Sequence, residues 1–169
     1  MQKIFVLFLL FPVFGFAQDS AHIDCKIKRE INSFSKEEKL SSGFLKLNGG
    51  MVSFDATAAE ITVLFSLEGR EVCFDNNSTA YVYFDGTKSK LTIRNNGTMN
   101  CEGLFQFVFK NTVVPNTNMT RLSTQKVDKV VFKTTSEKEL TVTVLPERQT
   151  TFMQMANCLV NEAKMLIRQ

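Results

Sequence analysis

Short runs in which apolar and polar residues alternate, each broken by a glycine-bearing turn, fill most of this chain, and that pattern is the signature of antiparallel hairpins. Ile61, Val63, Phe65 and Leu67 share one face of an extended segment, and Glu68-Gly69 after them predicts a return strand at Val72 to Phe74. Asn48-Gly49-Gly50 separates Phe44 to Leu47 from Met51 to Phe54, and Asp85-Gly86 separates Ala80 to Phe84 from Leu91 to Ile93. Two-residue hairpin turns need positive φ, which Gly adopts freely and Asp or Asn tolerates. In the segment Lys88 to Arg94, Lys88, Lys90, Thr92 and Arg94 lie opposite Leu91 and Ile93, so the cations read as a solvated strand face.

Phe105, Phe107 and Phe109 point one way in the run Leu104 to Phe109, while Leu104 and Val108 make the opposite face apolar too. That predicts a central strand covered on both sides. Residues 111 to 125, with Pro115 and a cluster of Asn and Thr, read as the longest loop and the first place to seek a partner site. Val127 to Phe132 and Leu140 to Val144 bracket a turn at 134 to 138. After Pro146 the period lengthens: Phe152, Met155, Ala156, Leu159, Ala163, Leu166 and Ile167 form one stripe, predicting an amphipathic helix over about 148–167. Its polar face carries few Lys or Arg, which argues against a membrane-surface helix. The Phe-rich face of 104 to 109 is its expected seat.

The first seventeen residues set the compartment. Lys3, the apolar run Ile4 to Phe14 and the small residues Gly15 and Ala17 meet the requirements of a cleaved secretory leader, with the cut after Ala17. The run falls short of the roughly 20 apolar residues of a membrane span. Ala21-His22-Ile23-Asp24 before Cys25 does not match the small-residue box of a lipoprotein. Removing 1–17 leaves a chain of roughly 150 residues, the size of one domain, 18–169, that hides about 70% of its unfolded surface. The formal net charge is +3, one unit of it from Lys3, too weak a balance for a nucleic-acid partner.

An exported chain with four cysteines invites disulfides, and four cysteines pair in three ways. Cys73 and Cys101 both lie in the hairpin region and are the favoured pair. Cys158, on the flank of the helix stripe, is then left for Cys25. No two cysteines stand within four residues of each other, and the lone histidine, His22, lies near the start of the mature chain, so a metal site is not expected. Catalytic patterns are missing as well: there is no Ser-His-Asp or Cys-His set, no GxSxG elbow, no phosphate-binding glycine loop and no cofactor motif. What remains is carboxylate chemistry by Asp55, Glu60, Asp75, Asp85 or Glu102 at strand ends, where acids ordinarily form turns. Asn76, Asn77, Asn96 and Asn118 open N-x-Ser/Thr sequons, which matter only in a host that glycosylates them.

The leader ending in Phe16-Ala17-Gln18, the strand Tyr81-Val82-Tyr83-Phe84 running into Asp85-Gly86, the turn Asn100-Cys101-Glu102-Gly103, the Val-rich strand 127 to 132 and the helix bearing Cys158-Leu159 together resemble a group of small exported bacterial β-rich proteins with a C-terminal helix. The resemblance spans about Cys25 to Leu159 and implies fold and an envelope location, with no active site. The expected architecture is mainly β (α+β): an antiparallel meander of about eight to ten strands forming a twisted sheet, a partly closed barrel or a sandwich, with one C-terminal α-helix packed on it. The expected function is that of a non-catalytic exported interaction protein, periplasmic or extracellular, using loop 111–125 or a sheet edge. A second reading is a carrier of a small apolar ligand between sheet and helix, among Phe105, Phe107, Phe109, Phe152 and Met155. A third, weaker one is a carboxylate hydrolase.

Overall fold

Hairpin turns at Asn48-Gly49 and Asp85-Gly86 set the register of the strands around them. In the first, Leu47 faces Gly50 across a two-residue loop in which Gly49 takes φ 94°. A side chain there would strike the Thr141 carbonyl, so the turn needs glycine on both counts. The computed structural model describes residues 25–69 and 72–167, and the expected leader, residues 1–17, lies outside them, as does His22. In chain order the elements are β1 (Lys28–Ile31), β2 (Glu38–Leu47), β3 (Gly50–Ala56), β4 (Glu60–Leu67), β5 (Thr79–Phe84), β6 (Lys90–Arg94), β7 (Leu104–Lys110), α1 (Thr117–Thr124), β8 (Val127–Lys133), β9 (Glu139–Thr143) and α2 (Pro146–Leu166).

The strands form two antiparallel sheets, ordered β1-β2-β3-β4-β7 and β6-β5-β8-β9, and no closed barrel. Alternation gives each strand a buried row, and the two rows meet in one core. Phe65 of β4 meets Phe132 of β8 across the sheets at 5.2 Å between ring centroids, and Phe105 of β7 meets Phe132 at 5.1 Å. α2 fills the rest, packing on β2 and β3 of one sheet and on β8 of the other. Phe152 is its main anchor, edge-on to Phe54 at 5.1 Å. The helix begins at Pro146, two residues earlier than expected, because proline's fixed φ suits the first helical position. Val160, outside the predicted stripe, is buried with it.

Several expectations are corrected. β7 is an edge strand, not a central one: Phe105, Phe107 and Phe109 are buried, while Leu104, Gln106 and Val108 lie half-buried on the outer face. The cover on its inner face comes from the opposite sheet and from Phe74, 5.1 Å from Phe105, instead of from α2. Glu68-Gly69 does not turn β4 back onto 72 to 74. β4 pairs with β7 along its whole length, and Val72 and Phe74 make isolated bridges to Glu102 and Asn100. The 111 to 125 loop contains α1: Asn116 caps it by accepting from the Asn118 amide at 2.8 Å, and Met119 and Leu122, three apart, are buried where α1 meets α2. β1 and the first half of β2 extend the sheet beyond the expected strands, since β1 carries Lys28-Arg29-Glu30 and shows no apolar alternation.

The outer edge of β7 is finished by side chains. Buried Asn95 accepts from the Gln106 amide at 2.9 Å with Oδ1 and donates Nδ2 to the Asp75 carbonyl at 2.9 Å. Asn100 serves Leu104 in the same way, accepting from its amide at 3.1 Å and donating to its carbonyl at 2.9 Å. Each amide side chain thus substitutes for a strand's peptide group. Asn95→Ala strands the Gln106 amide and the Asp75 carbonyl, and is expected to cost about 2–4 kcal/mol. In urea the midpoint should fall with the slope unchanged; an unaltered midpoint would show that the edge is held by something else.

Candidate functional site

The cysteines set the limits of any site. Cys25 is bonded to Cys158 and Cys73 to Cys101, leaving no free cysteine among the described residues. Cys25 precedes the edge strand β1, and Cys158 is buried on α2, so the bond fastens a strand whose four residues are all exposed to the helix. Arg29 adds an ion pair to Glu38 on β2 and a second, at 3.4 Å, to Glu162 on α2. β1 therefore runs alongside α2, tied by covalent and ionic links more than by burial.

The residues proposed to line an apolar ligand site separate into two places. Phe105, Phe107 and Phe152 are fully buried and Phe109 nearly so. Phe105 and Phe107 touch edge to face at 5.5 Å, and a ligand between sheet and helix would have to part such contacts. Met155 lies elsewhere, half-buried on the side of α2 that faces β2, in a surface groove of about 270 Å3 shared with Ile27, Ser42, Phe44 and the Cys25–Cys158 bond.

The strand-end acids do not form a common cleft. Asp55 faces Lys39 at 3.8 Å. Glu60 stands opposite Lys110 in the β4–β7 register, and Asp85 and Glu102 are exposed in separate turns. Among the described residues no group of three or more His, Cys, Asp or Glu gathers around a point where a metal would sit. Asp75 organises a turn: its Oδ1 accepts from the Ser78 hydroxyl at 2.9 Å, the Asn77 amide at 2.9 Å and the Ser78 amide at 2.8 Å. The Ser78 hydroxyl foremost, with these amides, holds the carboxyl below its ordinary value against an opposing desolvation. A carboxyl kept ionised in this way is a turn clasp and a poor general acid.

What the structure does gather is segments that carry exposed apolar side chains. The turn after β1, the turn 57–59, the segment 111–114 and the C-terminal end of α2 meet at one end of the molecule. Asn111 joins the last three: its amide donates to the Ala59 carbonyl at 2.9 Å, and Nδ2 donates to the Thr57 carbonyl at 2.9 Å and the Ala163 carbonyl at 2.8 Å. Lys36, Glu37 and Glu38 share a shallow groove there with Thr57, Ala58, Ala59 and Leu166. Five of the eight large apolar residues exposed among the described residues belong to these segments: Ile31, Phe34, Val113, Val114 and Met165. Phe34 is 95% exposed and Val114 81%. Only 113 and 114 fall within the predicted loop 111–125; Ile31 and Phe34 carried no sequence signal, because nothing in a lone apolar residue beside Asn and Ser tells which way it points.

Comparison with protein-family models, with curated proteins and with solved structures finds no match.

Two outcomes are expected. Replacing Cys25 and Cys158 together by Ser should cost about 4 kcal/mol, since the bond closes a loop of 133 residues, and the amides of β1 should lose their protection from hydrogen exchange before any other strand. Asp75 has a lower pKa folded than unfolded, so its contribution is present above the unfolded value near 3.8 and fades as pH falls through the folded one. The stability difference between the native protein and Asp75→Asn, from urea titrations, should therefore shrink between pH 5 and pH 2, and a difference constant over that range would deny Asp75 its role.

Proposed function

We propose that this is a non-catalytic, exported binding protein, and that it meets a protein partner with the end formed by Phe34, Val113, Val114, Met165 and Ile31. The single observation that carries this reading is that segments bearing five exposed apolar side chains meet at one end of the molecule. Monomeric surfaces scatter such residues, and a cluster of them marks a contact site. The surrounding residues include Asn, Ser, Thr and Ala together with Lys36, Glu37 and Glu38. Aromatic and Met side chains are enriched at protein interfaces, and Lys36, Glu37 and Glu38 beside them supply a charged rim. An anionic membrane surface would instead call for a cluster of Lys and Arg.

Export rests on the leader-like residues 1–17 and agrees with two disulfides, which persist in oxidising compartments such as the periplasm or the cell exterior. Among the described residues no helix is long and apolar enough to cross a membrane. The resemblance to small exported bacterial proteins points the same way.

The test is a pull-down from the native host with the double variant Phe34→Asp/Val114→Asp. Both side chains are exposed, so the melting temperature should stay within about 2 °C of the unaltered protein's while a specifically captured partner is lost by at least tenfold. Capture that survives the double substitution would move the partner site away from this end.

A further inference from the structure

The second site is a gap in the perimeter of the larger sheet. β1 pairs with β2 only between Lys28–Ile31 and Ser41–Glu38, yet β2 continues to Leu47. Beyond Ser41, β3 lies along one side of β2 and, among the described residues, no strand lies along the other. The open stretch is bounded at both ends. At one end the Ile27 amide bends back to the Cys25 carbonyl at 2.8 Å, and the disulfide draws Cys25 toward α2. At the other end Asn48 and Thr143 exchange two backbone hydrogen bonds of 3.1 and 2.9 Å where β9 leaves the smaller sheet. Between these limits lie Ser42 to Lys46, about 17 Å of edge at roughly 3.4 Å per residue.

The facing wall is the first half of α2. Thr151, Gln154 and Met155 look across the groove at Ser42 and Phe44, and Phe44 is 65% exposed. An unpaired strand edge beside a helix is the geometry in which an extended peptide adds as a further strand: main-chain hydrogen bonds hold it, and the flanking side chains select it. Ile27, Phe44 and Met155 offer apolar contact, while Lys26 is the charged residue of the lining and Lys46 stands at the far end of the edge. We propose that Ser42–Lys46 is a strand-addition site for an extended partner peptide of about five residues that is apolar in its middle and carries a carboxylate. It is independent of the apolar end that carries the proposed function, which lies beyond the other end of β1.

The gap breaks the register as well as the pairing. Between Ser41 and Phe44 the β2–β3 pairing slips, Gly43 takes φ 69°, and the Phe54 amide donates to Ser42 Oγ at 2.9 Å. The bulge frees Ser42 and Gly43 from the regular ladder at the point where β1 stops.

Residue-resolved hydrogen exchange on the oxidised, full-length exported protein tests this, alone and with two heptapeptides, Glu-Val-Thr-Val-Thr-Val-Glu and its counterpart with Lys at both ends. In the free protein the amides of Ser42–Lys46 that do not bond β3 should exchange at the rate of unpaired groups. The Glu-ended peptide should slow them at least tenfold, the Lys-ended one should bind at least tenfold more weakly, and Gln154→Glu, which sets a like charge against the Glu-ended peptide at nearly the same side-chain volume, should weaken that peptide at least tenfold while the melting curve is unchanged. Protection already present in the free monomer would assign the edge to the chain's own N-terminal residues. Protection that appears with dimer formation in light scattering would assign it to a second copy. Either result, or an edge that stays unprotected with both peptides, would overturn the proposal.

Discussion

Everything else in this molecule hangs on Phe65. Its ring lies 5.3 Å from Phe107 in the same sheet, 5.2 Å from Phe132 in the opposite sheet and 6.5 Å from Phe152 on α2, so one side chain touches all three layers. Edge-on and tilted aromatic pairs add about 0.5–1.5 kcal/mol each beyond the area they bury. The larger effect is geometric. Two sheets and a helix that share one node cannot slide independently, so the spacing of the layers, and with it the position of every surface turn, follows from how these rings interlock. That rigidity suits a binding module, whose contact residues sit on turns and gain precision only from what lies beneath them.

Around that core the chain treats each sheet edge differently. Asn95 and Asn100 finish β7 with side-chain amides. The backbone of Asn48 closes on β9. β6 turns Lys90, Thr92 and Arg94 to solvent, with Lys90 resting 4.0 Å over the Tyr81 ring. β1 is short, charged and exposed throughout. Charged and short edges discourage the indiscriminate pairing that leads to aggregation. Against that background an open stretch of β2 with apolar neighbours is the exception.

Much of this architecture was legible in the sequence wherever a strand's partner is its neighbour in the chain. Asn48-Gly49 and Asp85-Gly86 state both the turn and the pairing, and the period change after Pro146 announces α2. Legibility failed where the partner is distant. β4 and Glu68-Gly69 read as a hairpin, but β4 joins β7 across some forty residues, a choice decided by the matching rows Ile61, Val63, Phe65 and Phe109, Phe107, Phe105. The outward Leu104 and Val108 could not reveal that they are only half-covered, because an apolar residue half-exposed on an edge strand reads like one that is buried. α1 escaped because Thr-Asn-Met-Thr carries loop composition, and its two buried residues become a helix face only once α2 is there to receive them. The exposed end was invisible for the converse reason: exposure belongs to the assembled fold, and Phe34, alone among Asn and Ser, belongs to no periodic row that would say which way it points.

The bond between Cys25 and Cys158 joins points that precede the first strand and follow the last. Synthesis runs from one to the other, so Cys25 waits, unpartnered, while the nine described strands and most of α2 emerge, and an early oxidation can join it only to Cys73 or Cys101. Each wrong pairing encloses a shorter loop than the right one and so forms more readily by chance. Docking of α2 beside β2 brings Cys158 within reach and favours the correct bond. The covalent clasp thus depends on the fold it fastens: a docked α2 raises the chance of the right closure above that of the shorter, wrong loops.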